Sequence, residues 1–322
     1  MNNLVSVIVT NCNKYPYIVE CINSVLSQTY TNLELIIVND NTTDHSHEYL
    51  MTLTDCRTTI YNVDFSNASK SRNYGFQKSS GEFIQYLDAD DILDFNKIEI
   101  QLNSLIGNIL GLSVCRTMAI SENGELLQEI DTEFLNQSNP FKFIRSLYSN
   151  PYHGMVQPNA WFFSRELHEL AGSWNQNLTL DDDGEFFCRV ILKADRIVFC
   201  DEILNYYRKF QKINQSLSLM RNYTSWESAY LSANLKVDHL INCGQFNKEQ
   251  MDKINASFFS VIASDAYLIN SEVYKKSMKK TNLSGYFHEP YTAGFSYFLS
   301  CLIGWRAVKL IKFLKNKIQF KQ

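Results

Sequence analysis

Glu82-Phe83-Ile84-Gln85-Tyr86-Leu87-Asp88-Ala89-Asp90-Asp91 is an apolar run that ends in a knot of three carboxylates. The apolar part reads as a strand, with the acids at its carboxyl end. Like charges a few ångströms apart resist joint ionisation, so such a knot is costly without a cation. A divalent metal that carries a phosphorylated ligand removes that cost. The competing reading is local: the acids form an ordinary turn, and Asp91 or Asp94 caps a helix starting near Phe95.

The segments around this stretch decide between the two. Leu4–Val9 is short, β-branched and apolar on both faces, as a buried parallel strand should be. Ile18, Cys21, Ile22, Val25 and Leu26 follow at helical spacing. Leu33–Val38 is a second strand, Asn39–Asp44 a polar loop, and Ser46–Leu53 another helix. Thr59–Val63 reads as a third strand, and a helix over Ala68–Lys78 leads into Phe83–Leu87. Strand and helix alternate, which predicts an α/β sheet with right-handed crossovers. Ligands gather at the carboxyl ends of strands in such sheets. Thr10-Asn11-Cys12-Asn13, Asn39-Asp40 and Asp88-Ala89-Asp90 all fall there. No Gly-x-Gly-x-x-Gly follows the first strand and no Walker loop occurs, which disfavours a dinucleotide fold and a P-loop.

The pattern loosens after Asp91. Asn123-Gly124 predicts a hairpin between Val114–Ser121 and Glu125–Ile130. Phe141–Leu147 is helical. Val156–Ser164 reads as a strand whose Pro158 suits a sheet edge. Arg165–Leu170 is a short helix that Gly172 ends; a helix starts near Asp183, and Arg196–Cys200 is a strand. From about Met220 the chain is helical and amphipathic. The expected organisation is a catalytic domain over residues 1–215 and a helical region over 216–322. Within the former, 1–91 would bind nucleotide and 92–215 acceptor.

The chain is 45% hydrophobic and 20% charged over 322 residues, enough for a full core. A net charge of -4 gives no reason to expect nucleic acid. Eight cysteines without a Cys-x-x-Cys pair make zinc unexpected and suit free thiols in a reducing cytosol. Met1-Asn2-Asn3 leads straight into a strand, so no secretory signal is expected, and no apolar run reaches the roughly 20 residues that span a bilayer. A cytoplasmic location follows as the expectation.

With these elements placed, residues 4–210 resemble the family-2 glycosyltransferases of the GT-A fold. Five strings carry the resemblance in family order: Val5–Asn13, Val38–Asp44, Ser71-Arg72-Asn73-Tyr74-Gly75, Tyr86–Asp91 and Asp182–Arg189. It implies inverting transfer of a sugar from a nucleotide-diphosphate sugar, a UDP-sugar being favoured, to a cell-surface glycan or its lipid-linked precursor. Asn39 stands where the family more usually has an acid. The Gln-x-x-Arg-Trp motif of processive synthases is absent, so transfer of a single sugar is expected.

The resemblance assigns roles residue by residue. Asp40 would accept from the imide N–H of a base, or else cap its loop. Arg72 would contact base or phosphate, or form a salt bridge. Thr10 and Asn13 would line the nucleotide site, or serve as polar groups of its scaffold. Asp88 would hold the ribose or orient metal-bound water, and Asp90 would coordinate Mg²⁺ or Mn²⁺, both suited to oxygen ligands. Asp183, six residues before Arg189, holds the family's base position, with Asp182 beside it. Acids at a helix start are also favoured by the helix dipole alone, and the base could be Asp182 by a one-residue shift. Trp161 and Trp174 belong to the core or stack on a sugar; His153 lines the acceptor cleft or the surface. The cations of Tyr206-Tyr207-Arg208-Lys209 would reach the diphosphate from a loop.

Arg306, Lys309, Lys312, Lys315, Lys317 and Lys321 interleave with apolar residues in a tail without acids. Such a tail suits peripheral contact with an anionic membrane, or a helix packed on the chain's own core. Two other functions compete. A sugar-phosphate nucleotidyltransferase needs a Gly-rich basic loop after the first strand, and Asn11–Pro16 is not one. A non-catalytic nucleotide-sugar-binding protein is opposed by the intact Asp90 and Asp183.

Overall fold

A computed structural model describes residues 3–130, 136–149, 156–210, 222–290 and 294–319. The chain separates into two compact units, Met1–Leu147 with His153–Leu219, and Tyr148–Tyr152 with Met220–Gln322. The boundary expected between 215 and 216 lies outside the described residues.

The first unit is built on a nine-stranded mixed sheet among the described residues. β1 (Val5–Asn11), β2 (Leu33–Asp40), β3 (Thr58–Val63) and β4 (Phe83–Asp88) are parallel, ordered β3-β2-β1-β4. β1 is buried at every position but Thr10, the consequence of covering both faces of a parallel sheet. Thr10 pairs with Val38 on one side and Asp88 on the other, and Asn11 pairs with Asn39. The polar ends of three strands are therefore flush along one rim.

Helices α1 (Tyr17–Leu26), α2 (Ser46–Leu50) and α3 (Ala68–Lys78) connect these strands. α1 buries Ile18, Cys21, Ile22 and Val25 in the core beneath β1 and β2. α3 starts on Asn67, whose side chain accepts from the Lys70 N–H. A Cβ on Gly75 would stand 2.5 Å from Ile8 Cγ2 and 3.3 Å from Val38 Cγ2. The missing side chain lets α3 lie close on β1 and β2, and Arg72, one turn earlier, inherits that closeness.

The sheet continues as β4-β8-β6-β9-β5, with β7 beside β6. These strands are β5 (Ile92–Leu93), β6 (Gly111–Ile120), β7 (Leu126–Glu129), β8 (Trp161–Ser164) and β9 (Arg196–Arg208). The β6–β7 hairpin forms at Asn123-Gly124, where Gly124 takes φ +84. Three expectations are corrected. Val156–Ser164 is not an edge strand: Pro158–Ala160 forms a 3-10 turn, and only Trp161–Ser164 is strand, in the interior between β4 and β6. The turn takes the proline out of the ladder, which is what an interior strand requires. β9 runs past Cys200 to Arg208, and Asp201 and Glu202 fall at a register shift against β6. Neither Asp91 nor Asp94 caps a helix by its side chain; Ile92–Leu93 pairs with β9 first, and α4 (Lys97–Ser104) starts after Asn96.

Three further helices complete this part of the chain: α5 (Pro140–Tyr148), α6 (Arg165–Ala171) and α7 (Asp182–Lys193). α6 ends at Gly172, φ +81, as its position suggests. The second unit is helical: α8 (Tyr223–Cys243), α9 (Lys248–Ala266), α10 (Ser271–Ser284), α11 (Gly294–Ile303) and α12 (Trp305–Gln319). α8, α9 and α10 each start on an asparagine cap (Asn222, Asn247, Asn270), and α8 and α10 end at left-handed Gly244 and Gly285.

Candidate active site

Three asparagines form a ladder across the rim. Asn11 Nδ2 donates to Asn39 Oδ1 at 2.7 Å, and Asn39 Nδ2 donates to Asn62 Oδ1 at 2.9 Å. An amide both accepts and donates, so Asn39 can stand in mid-ladder where an acid could only accept. The ladder borders a cleft of about 330 Å³ that Thr42 and His47 also line.

Asp40 is buried at the end of β2. Its Oδ1 accepts from the Phe65 and Ser66 N–H groups at 2.7 and 2.9 Å, and its Oδ2 from the Asn67 N–H at 3.1 Å and Ser71 Oγ at 2.8 Å. A carboxylate has about four lone-pair sites, so these bonds fill it. Of the two readings of Asp40, holding the loop before α3 is the geometry seen. Asn13, at φ +55, likewise accepts from the Thr43 and Asp44 N–H groups at 2.7 and 3.2 Å. Thr10 is half-buried beside Asp88 in the register.

Arg72 joins the rim to α7. Its Nη2 donates to Asp88 Oδ1 at 2.8 Å and its Nη1 to Asp182 Oδ2 at 2.9 Å, while the guanidinium lies 4.4 Å over the Trp174 ring. Burial opposes the charge, but Asp88 and Asp182 outweigh it and hold the guanidinium above its ordinary value. Trp174 is a core side chain, stacked on Phe186 at 4.1 Å. Trp161 is buried too.

Asp90 Oδ2 lies 2.6 Å from Lys14 Nζ, which also sits 4.9 Å over the Phe210 ring. A cation already meets this carboxylate, and the charge and oxygen character of the site suit a hard divalent ion. Among the described residues no three His, Cys, Asp or Glu side chains gather as a metal cage. One or two carboxylates here would bind such an ion together with substrate phosphates and water, the usual manner of Mg²⁺. Asp91 belongs to the framework: it is fully buried, accepts from the Arg208 N–H at 2.9 Å and Asn159 Nδ2 at 3.2 Å, and its carboxyl is pushed well up by burial and by Asp90 and Asp88. Arg208 is not on a loop. It ends β9, buried, with Nε on the Asp90 carbonyl at 2.9 Å and a further bond to Glu20.

The acids of α7 complete the arrangement. Asp181 precedes the helix in left-handed conformation, φ +63. Asp182 accepts from Arg72 and from Ser69 Oγ at 3.0 Å. Asp183 accepts from the Gly184 N–H at 2.9 Å, and its carboxyl is pushed up to about 7 by burial and by the neighbouring Asp182 and Asp181; Arg72 and the Gly184 N–H pull the other way. Arg189, held by Glu185 at 2.8 Å and by the Ser173 carbonyl at 2.8 Å, anchors the same helix.

Asp88, Arg72, Asp182 and Asp183 are thus brought together, and Asp90 follows Asp88 by two residues on the same rim. Lys14 and Ser69 lacked a sequence signal: each is a common polar residue whose partner lies 76 or 113 positions away. His153 lies outside the described residues.

A family model described as Glycosyl transferase family 2 matches residues 6–170. The chain is similar to glycosyltransferase GlyG of Streptococcus pneumoniae serotype 4 (strain ATCC BAA-334 / TIGR4): 28% identical over 237 residues, 69% of this chain and 74% of that one. The UDP-Glc:alpha-D-GlcNAc-diphosphoundecaprenol beta-1,3-glucosyltransferase WfgD of Escherichia coli is 35% identical over 106 residues, 33% of this chain and 42% of WfgD. An uncharacterized glycosyltransferase of Rickettsia bellii (strain RML369-C) is 34% identical over 129 residues, 40% of this chain and 19% of that protein. The chain therefore spans well under two thirds of the length of some relatives. Among solved structures, S. aureus TarS 1–349 in complex with UDP-GlcNAc aligns with a TM-score of 0.59 at 16% identity, over 87% of this chain and 88% of that one. That likeness is one of fold, and with it the expected GT-A-type sheet with a helical C-terminal region stands.

Proposed function

The chain belongs to glycosyl transferase family 2, and from that premise we propose that it moves one sugar, with inversion, from a nucleoside-diphosphate sugar to a hydroxyl of a glycan or lipid-linked acceptor. The observation that carries this reading is Arg72, which holds Asp88 on the rim and Asp182 beside Asp183 in one grip. On this reading Asp88 serves the donor and Asp183 the acceptor, and Arg72 keeps the two sides close. A UDP-sugar is the favoured donor, in keeping with the names of WfgD and of the TarS complex.

In this mechanism Asp183 receives the acceptor proton. As the hydroxyl oxygen bonds to the anomeric carbon, the bond from that carbon to the diphosphate breaks, and the nucleoside diphosphate leaves. A carboxyl pushed up to about 7 is matched to a general base at neutral pH, strong enough to take a proton and partly ionised. Asp182, fixed by Arg72 and Ser69, orients the start of α7 and raises its neighbour by charge. Asp90, with Asp88 beside it, would hold Mg²⁺ or Mn²⁺, which when bound neutralises charge developing on the leaving diphosphate.

The test is transfer from a panel of nucleotide sugars by the unaltered chain and by Asp183→Asn. Loss of transfer by about 10²–10⁴-fold with donor binding intact is expected. Donor binding without transfer by the unaltered chain, over a full acceptor panel, would favour a nucleotide-sugar-binding protein instead.

A further inference from the structure

The second unit carries an apolar, cationic surface that its own packing leaves uncovered. α12 turns Trp305 and Val308 inward; Trp305 stacks on Phe287 at 5.8 Å and meets Tyr267 edge-on at 5.4 Å. Lys309 Nζ binds Asp265 Oδ1 at 2.7 Å, and Arg306 Nε donates to the Tyr274 hydroxyl at 2.8 Å. That face is committed to the unit's core. Leu310, Ile311 and Leu314 remain outside, and α11 repeats the pattern with Phe295, Phe298 and Leu302 at i, i+3 and i+7. These six side chains are between 42% and 74% exposed. Single exposed apolar residues are ordinary; six on two successive helices mark an interaction surface.

Basic residues outnumber acids around them, Asp265 and Glu272 being paired with Lys309 and Lys276. After Glu289 the chain contains no acid, while Arg306, Lys309, Lys312, Lys315, Lys317 and Lys321 all follow. Lys275, Lys279 and Arg306 line a groove of about 510 Å³ with Met278 and the exposed Leu283. We propose that this α10–α12 surface docks on an anionic membrane, its apolar side chains at the acyl boundary and its cations against lipid phosphates. Helices with a basic polar side and Phe, Leu and Ile on the other lie in the interface plane. Among the described residues, no helix is long and apolar enough to cross a membrane. A second copy of the chain is the poorer occupant, since it would set one acid-free tail against another. The surface deepens the reading of a lipid-linked acceptor but stands apart from it, since no group proposed for sugar transfer contributes.

The experiment is sedimentation of the full chain with vesicles of phosphatidylcholine alone or mixed with phosphatidylglycerol, at low and high salt. The comparison variant is Phe298→Ser/Leu302→Ser/Leu310→Ser, which alters exposed positions only. Binding to the anionic vesicles is expected, weakened by salt and about tenfold or more weaker in the variant. UDP binding, measured in parallel, should be equal in both proteins. The proposal is overturned if the intact chain ignores anionic vesicles or if the variant binds them as well. It is equally overturned if the intact chain is a dimer without vesicle affinity that the variant makes monomeric. Vesicle binding by a chain that binds no nucleotide sugar would leave this surface standing and remove the transfer reading.

Discussion

Arg72 meets Asp182 across 110 residues of sequence, Nη1 to Oδ2 at 2.9 Å, while its other arm holds Asp88. One planar cation ties the end of β4 to the start of α7. At 7% exposure it is balanced by carboxylates rather than by water. A lysine presents one point charge and cannot reproduce the two-armed grip. Arg72→Lys is therefore expected to weaken donor binding by about tenfold, about 1.4 kcal/mol. Arg72→Ala should cost about 3 kcal/mol of stability by leaving both carboxylates uncompensated. Urea midpoints measure the second effect; an unchanged midpoint would show that water replaces the guanidinium without loss.

Asp183 gives the pH dependence two opposite signs. As the proposed base it would work ionised, so transfer should rise as pH climbs through about 7 and level off above it. The folded-state value lies above the roughly 3.9 of an unfolded aspartate, so the native chain holds its proton longer. Stability from this group is accordingly present at low pH and lost as pH rises from about 4 towards 7. Asp183→Asn should abolish the rising limb of the rate profile and flatten the loss of thermal stability between about pH 4 and 7. A limb that persists in the variant would assign it to another group.

The parallel half of the fold was legible because its forces are local. β1 is apolar on both faces and Ala68–Lys78 is bounded by Asn67 and Ser79, so pattern and caps mark the elements. The acids at the end of β4 and the start of α7 were legible as motifs. Their connection was not: Arg72 reads as one cation in a polar helix until α3 is laid against β1 at Gly75. The place of Arg208 was not legible, since the resemblance implied a loop there and only the pairing of β9 with β6 carries the strand on to it. Asn39 was visible as a departure from the family's acid, but its reason lies in the register with Asn11 and Asn62.

That ladder predicts what restoring the acid would do. In Asn39→Asp the new carboxylate can still accept from Asn11 but cannot donate to Asn62, whose exposed amide must turn over and donate instead. A loss of about 0.5–1.5 kcal/mol is expected, the net worth of one hydrogen bond in the ladder. Thermal melts of Asn39→Asp and of Asn39→Asp/Asn62→Ser test the cause. If the serine hydroxyl recovers part of the loss by donating to the new carboxylate, the ladder accounts for it; equal losses would place it elsewhere.

Lys14 pairs with Asp90, the carboxylate proposed to hold the metal. With Nζ 2.6 Å from Oδ2, the ammonium occupies the approach to the carboxylate that a divalent ion would use. On the proposed metal site a bound ion would displace it, so the ion pair would oppose metal binding when no nucleotide is present. Lys14→Met removes the competitor while keeping an apolar stem against Phe210. Its affinity for Mn²⁺ alone should rise by about tenfold, about 1.4 kcal/mol. Asp90→Ala should lose both Mn²⁺ binding and the enhancement by Mn²⁺ of nucleoside-diphosphate binding, with the fold retained. Titration calorimetry with Mn²⁺, with and without UDP, reads all three proteins. Metal-enhanced UDP binding that survives in Asp90→Ala would take this carboxylate out of the metal site, and an unchanged Mn²⁺ affinity in Lys14→Met would show that the ammonium and the metal do not share the same oxygen.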